Sequence, residues 1–139
     1  MKHGNNKETA NAFINFQSCK GNNLTSYGSD IYSYQTKIAM HENGVILLTK
    51  KDYSVTTQKH KAHIKSAAAA ANVAVFEVPF IEPDEKQNGL NFEYLLGIAN
   101  DFADRAKRAR KDINKSFYNV QSISAKIKAY KYESLFLNA

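Results

Sequence analysis

The feature that most constrains this chain is an apolar repeat of seven residues through its C-terminal third. Phe92, Ala99, Ala106, Ile113, Val120 and Ile127 recur at constant spacing with no proline among them. A second row accompanies it through Leu96 and Ala103, then Phe117, Ile123 and Tyr130. The drift between the rows is what a helix of period near 3.6 produces. The pattern predicts a helical arm over 90–139, as one long amphipathic helix or two helices nearly in line. A break at 114–116 with the second half folded back is the alternative, though neither proline nor glycine stands there. A continuous helix of some 45 residues would be roughly 65 Å long. The rest of so short a chain would not cover it, so the stripe calls for a second copy or another protein. Its expected interface is Phe92, Leu96, Ala99, Ala103, Ala106, Ile113, Phe117, Val120 and Ile127.

The remaining residues must build a core of their own. With 139 residues and 43% hydrophobic content, the chain is long enough for one ordinary domain or a small domain with a helical appendage. No apolar run reaches the ~18 residues of a membrane span, and the polar first ten residues lack the apolar centre of a secretory signal. A soluble, non-exported protein with no membrane partner is expected. The lone cysteine, Cys19, has no intrachain disulfide partner and cannot supply a thiolate zinc cluster.

The formal charge of +6 is unevenly spread. Residues 1–76 hold nine lysines against four acids, 77–86 hold one lysine against four acids, and the remainder holds nine cations against five acids. Two basic blocks thus flank an acidic stretch, a balance that suits a polyanion or an acidic protein surface as well as simple solubility.

Residues 1–11 are polar and expected to fray, and 12–16 read as a short strand. Residues 31–40 alternate Tyr32, Tyr34 and Ile38 with polar positions, which predicts a strand. Asn43-Gly44 is the strongest turn signal, because both residues tolerate positive φ, and 45–49 is the returning strand. A short strand at 53–55 follows. Thr56 or Thr57 then caps a helix over 57–71 that contains five consecutive alanines and ends near Asn72. Residues 73–78 read as another strand. Pro79 and Pro83 place a connector over 79–89, and Asn88 or Asn91 is the expected cap of the helical arm. The expected organisation is a sheet-and-helix domain at 1–78, an acidic linker at 79–89 and the helical arm at 90–139. The fold class is α+β, a small antiparallel sheet packed by one helix.

Two groupings are candidate sites. His60 and His63 are three residues apart on a helix face, but a metal site needs a third ligand, and no spacing ties His41, Asp52 or Cys19 to them. No paired carboxylates, nucleophile elbow or glycine-rich phosphate loop is present, so no catalytic residue, metal or cofactor is implied. The second grouping is a basic patch of Lys50, Lys51, Lys59, Lys61 and Lys65 beside Tyr34, with Tyr32 and Tyr53 near it, suited to phosphates and stacked bases. Arg105, Arg108 and Lys111 form a further block on more than one helix face, able to take an acidic partner or a nucleic acid.

The segment Tyr34-Gln35-Thr36-Lys37-Ile38-Ala39, the Asn43-Gly44 turn, and Ser54-Val55-Thr56-Thr57-Gln58-Lys59-His60 together make a hairpin and helix entry. This combination resembles a segment of short uncharacterised proteins of bacteriophages and mobile elements, over about a quarter of the chain. The resemblance implies a non-enzymatic accessory protein in a bacterial host cytoplasm or a virion. Its partner would be a macromolecule, one version being an inhibitor of a nucleic-acid-targeting defence system. The alternative is an assembly protein, a homo-oligomer or a subunit docking on a protein partner through its C-terminal helix.

Overall fold

A computed structural model describes residues 1–137, which divide into two compact units, Met1–Ile81 and the described residues from Glu82 onward. The first unit is built on a seven-stranded sheet in the order β1 to β7. Strand β1 (Lys2–His3) leads into helix α1 (Asn6–Ile14), and β2 (Cys19–Lys20) returns parallel to β1. An antiparallel meander follows through β3 (Leu24–Tyr27), β4 (Asp30–Ser33), β5 (Thr36–Glu42) and β6 (Val45–Thr49). Helix α2 (Val55–Ala70) then crosses over to β7 (Val75–Val78), which pairs parallel with β6. Two parallel crossovers therefore flank the meander, and their helices pack on each other. The core combines Ala10, Phe13 and Ile14 of α1 and Ile64, Ala67 and Ala68 of α2 with sheet residues such as Leu24, Ile31, Ile38, Ile46 and Leu48. This is the α+β class read from the sequence, with a larger sheet than expected.

Local chemistry explains where the elements depart from expectation. The expected strand at 12–16 and the frayed start are instead α1 and the segment leading into it. Asn5 accepts the Glu8 amide at 2.8 Å and Glu8 returns a bond to the Asn5 amide, a capping box that starts a helix. The expected strand at 53–55 is a connector, since Ser54 is the N-cap of α2 and accepts the Thr57 amide at 3.1 Å. The single strand expected over 31–40 is two strands joined by a tight turn at Tyr34 and Gln35. The Asn43-Gly44 hairpin is as read, with φ of 49° and 79°, and Asn72 at φ 57° ends α2.

The second unit is a helical hairpin of α3 (Glu85–Arg108) and α4 (Asp112–Phe136). Asp84 caps α3 in a box with Gln87, so the helix starts inside the acidic stretch expected to be a linker. The two helices are antiparallel and packed along their length, which corrects the expectation of one helix or two in line. Tyr132 bonds Asn88 and Asn91, Phe92 meets Tyr130, Ser122 bonds the Ala99 carbonyl, and Phe102 meets Tyr118. Partner positions thus fall along α4 as they rise along α3. The break at 109–111 uses no proline or glycine: Ala109 and Lys111 are extended, at ψ 137° each. Five cations lie within 105–111, where an uninterrupted helix would set like charges three and four residues apart. Ending α3 there places Arg105, Lys107 and Arg108 at its carbonyl end, where the helix dipole favours cations.

Candidate functional site

The sheet unit concentrates its unusual features around Tyr34. Ser33 pairs with Thr36, so Tyr34 and Gln35 are the two loop residues of the β4–β5 hairpin. Tyr34 takes the first loop position with φ 56°, a conformation that normally selects glycine. Its amide donates to the Asn23 carbonyl at 2.7 Å, and Asn23 is itself left-handed at φ 62°. Neighbouring loops are latched through two strained residues, and the Tyr34 side chain remains 53% exposed. A cleft of about 390 Å³ lies on one side, lined by Tyr34, Tyr53, Ser33, Thr36, Ser54, Thr56 and Thr57. A second, of about 540 Å³, is lined by Tyr34, Lys20, Gly21, Asn23, Thr25, Gln35 and Thr36. Among the described residues no carboxylate lines either cleft.

Beneath the first cleft, Ser33 Oγ lies 2.7 Å from His60 Nδ1 and 3.0 Å from Thr57 Oγ1. His60 is 1% exposed, which overturns its expected place on an open basic helix face. Burial lowers its pKa below the ordinary 6.5, the charge of nearby His63 adds to this, and the Asn22 main chain opposes it without bonding Nε2. A hydroxyl beside an imidazole is the arrangement of an activated nucleophile. Here Ser33 is only 2% exposed and Nε2 has no orienting partner, so the pair serves as the joint between α2 and β4. Among the described residues no three His, Cys, Asp or Glu side chains converge on a metal position.

The lysines divide differently from the expected patch. Lys61 is buried, with its ammonium 2.8 Å from the Glu77 carboxylate, because the β6–β7 pairing brings Glu77 beside α2. Lys65 lies 3.2 Å from the same carboxylate. Lys50, Lys51 and Lys59 are exposed. Tyr53 is exposed in the cleft beside Tyr34, whereas Tyr32 pairs edge-on with Tyr27 and lies under Lys37. Ser33 and the left-handed Asn23 were not singled out by sequence, and Thr57 entered only as a candidate helix cap. Only the alternation that sets Ser33 opposite the tyrosines hinted at a buried hydroxyl.

In the helical unit the seven-residue repeat has two fates. Ala99 and Ala106 of α3 are buried, and Phe92, Leu96 and Ala103 are partly buried, so these five are not an open interface. Ala99 is covered by α4, whose Ser122 hydroxyl donates to its carbonyl at 2.8 Å. On α4, Ile113, Phe117, Val120, Ile123, Ile127 and Tyr130 are all exposed, from 77% at Ile113 to 45% at Tyr130. Arg105 lies over the Phe102 ring and, with Arg108, is exposed at the end of α3, while Lys111 is the uncapped N-cap of α4. Among the described residues no helix is long and apolar enough to cross a membrane.

The profile of a family of unknown function, DUF8033, matches residues 1–75, which hold α1, the meander and α2. No curated protein and no solved structure matches the chain.

Proposed function

We propose that this chain, which belongs to the DUF8033 family of unknown function, is a non-enzymatic assembly protein that pairs with a second copy through α4. The observation that carries the reading is the row of six exposed apolar side chains from Ile113 to Tyr130. Their spacing keeps them within one arc of the helix, along about 26 Å at 1.5 Å per residue. Fully burying such a side chain contributes roughly 1.5–3 kcal/mol, so covering the exposed part of all six on both copies contributes on the order of 10–20 kcal/mol. Association costs about 4–15 kcal/mol, so the pair forms with little in reserve.

The stripe is nearly the same read in either direction, which favours antiparallel pairing about a two-fold axis between Val120 and Ile123. Ile113 then faces the partner's Tyr130, Val120 faces the partner's Ile123, and Asp112 lies opposite the partner's Lys131. A parallel pair in register would set Lys131, which shares the arc of the stripe, against its own copy. The matched residues 1–75 would be the shared module, with the hairpin joining copies of it. Such a subunit suits the small accessory proteins of phages and mobile elements that the β5–β6 hairpin and α2 entry resemble.

Light scattering behind a sizing column at low and high salt tests this. A dimer at both salts is expected, becoming a monomer of unchanged helical content when Ile113, Val120 and Ile127 are all replaced by Gln. A wild-type monomer at every concentration tried rules the reading out.

A further inference from the structure

The surface around Tyr34 is built from residues of the first unit and has its own chemistry. A tyrosine at φ 56° in a position that favours glycine works against the fold, and half of its side chain stays in solvent, so burial does not explain its presence there. It is held in place nonetheless. The Asn23 carbonyl takes its amide at 2.7 Å, and the His60 ring, fixed by Ser33, lies 6.1 Å from its ring. The outcome is a positioned aromatic wall shared by both clefts, with a second exposed aromatic, Tyr53, in the smaller one.

We infer that the two clefts divided by Tyr34 form a sequence-tolerant binding site for single-stranded nucleic acid. A wall between two clefts suits a ligand made of successive flat units, with one base against Tyr34 and the next against Tyr53. Such stacking accepts any base, because every base has a π-face. Clefts of about 390 and 540 Å³ are within the range of small-ligand sites, and each is large enough for a nucleoside. Hydroxyls such as Ser54, Thr36 and Thr56 donate or accept equally, so they bond base edges without selecting among them. Lys20 supplies a cation in the larger cleft, and Lys51 lies two residues before Tyr53; among the described residues neither is ion-paired with a carboxylate. The absence of carboxylates from both linings, and nine lysines against five acids through Ile81, favour a phosphate-linked chain over a neutral one. A duplex keeps its bases stacked inside and offers nothing to the tyrosine rings.

The test is fluorescence anisotropy of the full chain with a labelled oligothymidylate and with a labelled blunt duplex of equal length, at two salt concentrations. Wild type is expected to bind the single strand and to prefer it to the duplex. Tyr34→Gly is the decisive variant, because glycine is unstrained at this φ. It is expected to melt no lower than wild type while losing roughly 5- to 150-fold in affinity, the range of one lost base stack. Tyr53→Ala is expected to fall in the same range, and Lys20→Ala to reduce the salt slope by about 0.7. Absence of single-strand binding at low salt overturns the inference. So does equal binding of the duplex, or binding that Tyr34→Gly leaves intact, which would place the contact elsewhere on the basic surface.

Discussion

The Tyr132 hydroxyl donates to Asn88 Oδ1 at 2.9 Å and accepts from Asn91 Nδ2 at 2.8 Å, so one phenol near the end of α4 holds the first turns of α3. Tyr132 and Asn91 are fully buried, and desolvation raises the phenol pKa above its ordinary value of 10.0, with the Asn91 bond acting in the opposite direction. This contact closes the open end of the hairpin, far along both helices from the turn at 109–111.

Replacing Tyr132 by Phe keeps the ring, stacked 4.4 Å from Phe136, and removes only the oxygen. The Asn91 amide then loses a buried acceptor, a loss that costs about 1–3 kcal/mol. Amide exchange is expected to quicken by about that free energy in α3 and α4, with α1, α2 and the sheet unchanged.

The Lys61–Glu77 pair makes a second prediction, in which two substitutions at one contact differ in outcome. Glu77→Gln strands a buried ammonium, which for a buried pair costs about 3–5 kcal/mol; the lower end applies because the Glu77 side chain is 35% exposed. Lys61→Met removes the charge that needs a partner and is expected to cost far less, within about 1 kcal/mol of neutral. Urea midpoints of the two variants check the ordering, and equal losses would show that the contact acts through packing alone.

His60 sets a pH dependence whose sign follows from its burial. Its folded pKa lies below 6.5, so below pH 6.5 the unfolded chain binds the proton that the folded chain resists. Stability from this group is fully present above pH 6.5 and is lost as pH falls through that value toward the folded pKa. The urea midpoint of wild type is expected to drop over this interval, and His60→Gln, which cannot take up the proton, is expected to show a shallower drop.

The parts of this fold visible in the sequence are those encoded by short-range rules. Asn43 and Gly44 turn the chain because both accept positive φ, and α2 follows from its alanines, although its cap is Ser54 and not the expected Thr56 or Thr57. Helix α1 was signalled only by Asn5 and Glu8, three residues apart, while Phe13 and Ile14 fit a strand equally well. The turn at Tyr34 was hidden because tyrosine is no turn signal; the Asn23 carbonyl stabilises it from another hairpin. The α3–α4 fold-back was read only as the alternative, with its break at 114–116 and not at 109–111, since Tyr132 and Asn88 are 44 residues apart and no proline or glycine forbids a continuous helix. Tyr34 was singled out from the sequence as a candidate. Its support from Ser33 and His60, 27 residues apart, depends on the sheet first bringing α2 over β4.

The antiparallel α4 pairing makes a prediction that apolar truncation does not test. In that register Asp112 meets the partner's Lys131, and the two-fold axis makes the contact twice, so each substitution acts on two pairs at once. Asp112→Lys alone sets like charges together at both ends and is expected to weaken the dimer several-fold, since an exposed pair contributes about 0.2–1 kcal/mol. Lys131→Asp alone is expected to do the same. The double exchange restores opposite charges with their positions reversed, and its dissociation constant is expected to return close to that of wild type. A parallel pair in register predicts a different result, because each residue would then face its own copy and the exchange would rescue nothing. Sedimentation equilibrium on the four proteins at low salt separates the arrangements, and high salt should narrow the differences as the charges are screened.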